Sequence, residues 1–146
     1  VGYEVHDTTV TDKMEHLLPL LERQRDELEP GRDIAPALAA YEALENMNRL
    51  LAMLLVHDGS VVGYAIGYLG PHMHYTGMTY LHNDVLYVAP EHRGRAGVLL
   101  MRATERAARE RGATMVSWSA KPDTPLERLL PSMGYGKFET IYTREL

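Results

Sequence analysis

Residues 86 to 100 read Leu86-Tyr87-Val88-Ala89-Pro90-Glu91-His92-Arg93-Gly94-Arg95-Ala96-Gly97-Val98-Leu99-Leu100. The first three are strand-like, Ala89-Pro90 stops the strand, a small basic turn follows, and an amphipathic helix begins. Peptide N–H groups at a helix start point outward unpaired, and the macrodipole adds partial positive charge there. Gly94, Ala96 and Gly97 keep side chains out of the way, so a diphosphate could approach the backbone over Arg93 to Val98. Arg93 and Arg95 add full charges beside it. A solvated strand–helix connection that happens to hold two arginines is the competing reading of the turn taken alone.

Outward from this segment the chain alternates between two periodicities. Gly97 to Arg111 predicts a helix with Leu100, Met101, Thr104, Ala107 and Ala108 on its apolar stripe and Gly112 at its end. Its outer face offers Glu105–Arg109 and Arg106–Glu110 as i,i+4 ion pairs. Upstream, Thr79 to Val88 reads as a strand and Gly70 to Gly77 as a loop. Two apolar runs, Leu50 to Val56 and Val61 to Leu69, flank His57-Asp58-Gly59-Ser60, and Asp-Gly between such runs predicts a hairpin. Residues 3 to 10 form a first strand. A helix capped by Thr11 or Asp12 runs towards Leu28, with Pro19 expected to end or kink it. A second helix starts near Pro36 and carries Leu38, Tyr41 and Leu44. Downstream, Ala113 to Ala120 is a strand, Thr124 to Met133 a short helix and Lys137 to Arg144 a closing strand. The order β, α, α, β, β, β, α, β, α, β describes one α/β domain over residues 1 to 146.

Composition narrows the function. The chain has 146 residues, is 45% hydrophobic and carries a net charge of −5, which suits one domain with its own core. No apolar run approaches the roughly 20 residues of a membrane helix, and the N-terminus offers no secretory signal. A cytoplasmic protein without membrane contact is the expectation. With Cys 0 there is no thiol nucleophile and no Cys-ligated zinc. The basic stretch is confined to residues 91 to 112, so a small anionic ligand fits better than nucleic acid, which calls for a broad basic stripe.

The segment resembles the acetyl-coenzyme-A signature of the GNAT superfamily of N-acetyltransferases, in which a strand ending V-x-P runs into R-G-x-G-x-G and a helix. Val88, Pro90, Arg93 and Gly94 stand in the matching places, while Ala96 and Val98 replace the last two glycines. Met133-Gly134-Tyr135 looks like the family's L-G-F. The resemblance implies an α/β sandwich of GNAT type, a mixed and mostly antiparallel sheet flanked by helices on both faces. It also implies acetyl-CoA as co-substrate, with pantetheine along Leu86, Tyr87 and Val88 and the pyrophosphate on Arg93, Gly94, Arg95, Ala96, Gly97 and Val98. Asp123 falls where the family often has an Asn near the pantetheine arm, and Leu126 where it often has Ala. The implied activity is acetyl transfer to a primary amine, directly within a ternary complex. The acceptor would be a small amine, a protein lysine or an N-terminal amine, and a homodimer is in keeping with the family. The alternative is an acetyl-CoA-binding sensor or structural module without turnover.

An amine attacks a thioester only when neutral, so a base must take a proton from the ammonium form. By period two His82, Asp84, Leu86 and Val88 share one strand face. Many family members have Glu where Asp84 stands, which makes Asp84, or a water it holds, the first candidate for the base and His82 the second. The family's usual acid, a Tyr four residues before the G-F pair, corresponds to Leu130, so no acid is named. Tyr135 and Tyr142 read as core or sheet-face residues, and Trp118 as core. His72-Met73-His74 with His82 and Asp84 invites a metal reading, but a loop at the acceptor end is the better account and no metal is expected. Asp26, Glu27, Glu29 and Asp33 could draw a cationic acceptor by their field, or simply solvate a helix end.

Overall fold

The computed structural model describes residues 2–146. Strand β1 (Tyr3–Thr8) leads into α1 (Val10–Leu28) and α2 (Leu38–Asn46), then β2 (Leu50–His57), β3 (Ser60–Pro71) and β4 (Thr79–Val88). A 3-10 turn at Pro90–His92 precedes α3 (Arg95–Glu110), and β5 (Met115–Ser117) and α4 (Pro125–Ser132) follow. The strands lie in the order β1-β2-β3-β4-β5. All neighbours are antiparallel except β4 and β5.

Each face of the sheet has its own core. On one side α3 lays Ala96, Leu100, Ala103, Ala107 and Ala108 over Leu51, Leu55, Ala65, Leu81 and Val88. The whole stripe read from the sequence is buried there. On the other, Val10, Leu17 and Leu20 of α1 cover Leu54, Tyr64, Ile66 and Tyr87. Each Leu sealed this way stabilises the fold by roughly 2 kcal/mol. The β2–β3 turn has Asp58 at φ 50 and Gly59 at φ 79, the paired positive angles a two-residue hairpin of this twist requires.

Several sequence expectations are corrected. Pro19 sits inside α1 without ending it, and the cap is Thr9, whose side chain accepts from Asp12 N. Helix α3 begins at Arg95, two residues before the expected Gly97. Strand β3 continues to Pro71, into the expected loop. On α3, Glu105 pairs with Arg102 and accepts from the Tyr135 hydroxyl at 2.7 Å, so the Glu105–Arg109 pair does not form. Strand β5 is three residues rather than Ala113 to Ala120, because β4 offers it partners only at Tyr80, Leu81 and His82. The closing strand Lys137 to Arg144 is absent. This segment is exposed, with Phe138 and Tyr142 each 91% exposed, so Tyr142 is no core residue. Among the described residues, 136–146 make no backbone–backbone hydrogen bond. One side-chain tie, Arg32 to Glu145 at 2.6 Å, links the end of the segment to the loop after α1.

Candidate active site at a fork in the sheet

Strand β4 touches β5 only through the pairs Tyr80–Met115, Leu81–Val116 and His82–Ser117. Beyond His82 the two strands part, so residues 83–88 of β4 have no partner on that edge. The fork opens towards the strand C-termini, where open α/β sheets hold ligands. The Ala89 N–H bonds Val62 O. By the alternation of an antiparallel ladder, Leu86 and Val88 therefore turn their peptide groups to the fork, while those of Tyr87 turn to β3. The Val88 carbonyl is already engaged by Arg93 Nε at 2.9 Å.

The turn after β4 ends in a backbone that only glycine adopts easily. Gly94 has φ 106 and ψ −125, and a Cβ placed there would meet nothing within 4 Å. No side chain plugs the space above it. Gly97 and Val98 spend their N–H groups on the Gly94 carbonyl at 3.1 and 3.3 Å. The N–H groups of Arg95 and Ala96 bond no protein atom among the described residues, so the free donors lie at the first turn of α3. The Ala96 methyl is buried against the core. Arg95 is exposed and in no ion pair among the described residues.

Arg93, by contrast, is committed within the protein. Its Nη2 donates to Glu27 Oε2 at 2.7 Å, and the guanidinium lies 5.5 Å from the Tyr87 ring centre. The Tyr87 hydroxyl donates to the same carboxylate oxygen at 3.2 Å. Hydrogen bonding from Arg93 holds Glu27 below its ordinary pKa. One turn earlier Arg23 grips Glu91 through both carboxylate oxygens, at 3.0 and 2.9 Å, and holds its pKa down to about 2. Helix α1 is thus clasped to the turn before α3. The acidic cluster is largely neutralised in the process: Asp26 pairs with Arg25, and Glu29 with Arg32 and Lys121. Asp33 alone of the four has no such partner among the described residues, which removes most of the expected field.

The expected face-sharing of His82, Asp84, Leu86 and Val88 is also corrected. Ile66 pairs with Val85 but Gly67 with Asn83, so Asp84 is the surplus residue of a β-bulge, and the strand's alternation reverses there. Leu86 and Val88 join the core under α3. His82 stands opposite Tyr68 and Ser117, on the α1/α2 face. Asn83, 3% exposed, stitches the bulge by donating to Val85 O at 2.9 Å and Ile66 O at 3.3 Å. Asp84 keeps contact with solvent, yet burial by the surrounding protein raises its pKa above the usual carboxylate value, with His82 pulling the other way. Its charge in turn helps raise the phenol pKa values of Tyr41 and Tyr68, where burial is the larger cause. His82 Nδ1 lies 2.7 Å from Ser117 Oγ.

The remaining expected residues are placed as follows. Asp123 is exposed at φ 62, and its N–H donates to Glu127 at the start of α4, where Leu126 is half-buried. Both follow β5, on its side of the fork in sequence. Leu130 occupies the position of the missing tyrosine. Tyr135, the nearest phenol in sequence, is pushed up to about 12, chiefly by burial, and is bound to Glu105. Trp118 packs against the α3-side core, with Tyr135 edge-on at 6.5 Å. His72 stacks on Tyr75 at 4.6 Å and accepts from the His74 N–H. Among the described residues no three His, Asp or Glu side chains are grouped to hold a metal, and no helix is long and apolar enough to cross a membrane. A groove of about 870 Å³ lies between β1, α1 and the β2–β3 turn and is lined by none of these residues.

Sequence reasoning missed Ser117, Tyr68, the bulge and the pairing of Glu27 with Arg93. The pairing of β4 with β5 is long-range, and no local pattern announces it. The profile described as Acetyltransferase (GNAT) family matches residues 15–135. No curated protein matches the chain. Among solved structures, an aminoglycoside acetyltransferase from an uncultured soil metagenomic sample is 19% identical, with a TM-score of 0.82 over 100% of this chain and 99% of that one. A ribosomal-protein-alanine N-acetyltransferase from Brucella melitensis biovar Abortus 2308 is 21% identical, with a TM-score of 0.80 and the same coverage. AAC(6')-Iy in complex with a CoA-linked bisubstrate analogue is 20% identical, with a TM-score of 0.76, again over 100% and 99% of the two chains.

Proposed function

Since the chain belongs to the GNAT acetyltransferase family, we propose that it transfers an acetyl group from acetyl-CoA to a primary amine, directly and within a ternary complex. The observation that carries this reading is the fork: an unpaired β4 edge, from Asn83 to Val88, that ends beside free amides at the start of α3. The residues present fit the co-substrate. Pantetheine amides would find partners at Leu86 and the Val88 N–H. The pyrophosphate would lie over Gly94, on the Arg95 and Ala96 amides and the Arg95 guanidinium. Arg93 then serves as a strut that holds this turn to α1 rather than as a phosphate ligand.

Acetyl-CoA would supply the activated acetyl group; the chain must orient the amine and remove its proton. His82 and Asp84 stand together on the α1/α2 face and are the candidates for that task. Asp84, acting directly or through a water, is the first by family position, and its raised pKa brings it nearer the working range of a base. The acceptor would approach from this face, past Tyr41 and Tyr68. Its class is a small polyamine-like or aminoglycoside-like amine, or a protein lysine or N-terminal amine. The solved relatives named for such acceptors support the class and choose no member of it. No side chain replaces the usual tyrosine acid, so coenzyme A leaves as thiolate, at a thiol pKa near 8–9. Two copies of the chain would associate; the exposed, strand-like segment 137–144 supports this assembly. The setting would be the cytoplasm.

The sensor reading draws on Leu130 and on the commitment of Arg93 to Glu27. Melting with acetyl-CoA, coenzyme A and ATP in parallel, followed by thiol release with an amine panel, separates the two. A specific ligand at 100 times its Kd should add about 2.7 kcal/mol of stability. Gly94→Ala, which forces a side chain into a backbone region costing about 1–3 kcal/mol, should abolish most of that gain. Stabilisation without thiol release from any amine supports the sensor. No stabilisation by either CoA species refutes both.

A further inference from the structure

We propose that Ser117 is a positioning residue for His82, and that the pair makes His82 Nε2, rather than Asp84, the atom that takes the acceptor's proton. The inference rests on the acetyl-transfer reading for its chemistry but on geometry for its residues. His82 and Ser117 are the last pair before β4 and β5 separate, so both side chains stand at the apex of the fork. Ser117 Oγ lies 2.7 Å from Nδ1, a short contact for a nitrogen–oxygen hydrogen bond. Among the described residues Nε2 has no hydrogen-bond partner, and it is not among the buried unpartnered atoms, so it is open to solvent.

An imidazole presents one N–H and one lone pair, and the bond at one nitrogen decides which is where. With Nδ1–H donating to Ser117 Oγ, the lone pair is on Nε2. The ammonium N–H bond then breaks as a new N–H bond forms at Nε2, leaving a neutral amine and an imidazolium. Ser117 goes on accepting from Nδ1–H, and the imidazolium later gives its Nε2 proton to water. The groups beside this ring are Asp84 on its own strand and Tyr68 directly across on β3, and Tyr41 on α2 lies within reach of the charge of Asp84. Asp84 is the one carboxyl group of the set, and its ionised form stabilises the imidazolium. An imidazole also changes charge between about pH 5 and 8, which suits a base at neutral pH better than a carboxylate does.

The test combines spectroscopy with kinetics. Nitrogen NMR of the histidine rings in the free protein should show His82 mainly as the Nδ1–H tautomer. Ser117→Ala should convert it to a mixture, and Ser117→Thr should restore it. In thiol-release assays Ser117→Ala should lower kcat about tenfold and move the acidic limb of the pH profile, with KM for acetyl-CoA unchanged. His82→Gln should remove that limb and cost at least about 100-fold in kcat. Melting and circular dichroism of each variant check folding. The inference is overturned if Ser117→Ala leaves the tautomer unchanged, or if the acidic limb survives in His82→Gln. A wild type that releases no thiol with any amine refutes acetyl transfer and with it the role of Nε2, while the NMR result still decides whether Ser117 positions the ring.

Discussion

Along its β3 edge, β4 is paired from Thr79 to Val88; along its β5 edge it is paired only from Tyr80 to His82. The first edge is so close that a Cβ on Gly63 would sit 2.8 Å from Tyr87 O, and one on Gly67 2.9 Å from His82 O. The second edge is open. One strand thereby has a side fixed by packing and a side free for a ligand, and the fixed side gives the free one its accuracy. Sites built on such supported elements hold their geometry better than sites on loops.

The comparison is broken most severely from the tight side. Gly67→Ala drives a methyl against the His82 carbonyl and, also at 2.9 Å, Leu81 Cδ1. It should cost about 2 kcal/mol in urea unfolding, within the usual range for overpacking, and loosen the His82 ring as well. A midpoint equal to wild type would mean that β3 and β4 are not locked as described.

Asp84→Asn acts on the open side and should lower kcat about tenfold without changing KM for acetyl-CoA. Its effect on stability has the opposite sign. Burial raises the Asp84 pKa in the folded state, so the native state holds this proton more tightly than the unfolded chain does. Wild-type stability therefore falls as pH rises through the folded pKa. The Asn variant escapes that loss, so it should melt higher than wild type at pH 7 and lose the advantage in acid. An advantage constant from pH 3 to pH 7 contradicts the assignment.

Glu27→Gln tests the clasp beneath the open edge and should have the smallest effect. Both partners of the Arg93–Glu27 pair are about one-third exposed, so its loss should cost less than about 1 kcal/mol. Glu27 has a depressed pKa, so whatever the pair contributes is present above the unfolded carboxylate pKa and is lost as pH falls through the folded one. Arg93 remains tied to the Val88 carbonyl, and calorimetry should find coenzyme A affinity within about twofold of wild type. A tenfold gain would show that Arg93 is a phosphate ligand held in reserve.

What the sequence made legible was local. The Asp58-Gly59 turn, the stripe of α3 and the small-residue turn before it follow from propensities and periods that operate within a dozen residues. Position 84 was recognised as chemically interesting, but Leu86 and Val88 were put on its face, because a bulge is a property of two strands and strict alternation was applied to one. The roles of Arg93 and Ser117 were hidden for the same reason: their partners, Glu27 and His82, lie 66 and 35 positions away. Residues 137–144 show the limit from the other direction. Their composition suits a strand, but a strand needs a neighbour, and within one chain they have none.

The extra residue in β4 has a consequence for anyone comparing or re-engineering this chain. Deleting Asp84 would restore strict alternation and leave His82 on the α1/α2 face and Leu86 and Val88 under α3, because Asn83 and Val85 already pair with consecutive residues of β3. The deletion would remove the carboxylate beside His82 and the extra twist a bulge gives its strand. A substitution at the same position would change the side chain and keep the twist. An ungapped comparison through β4 would equate residues that point in opposite directions.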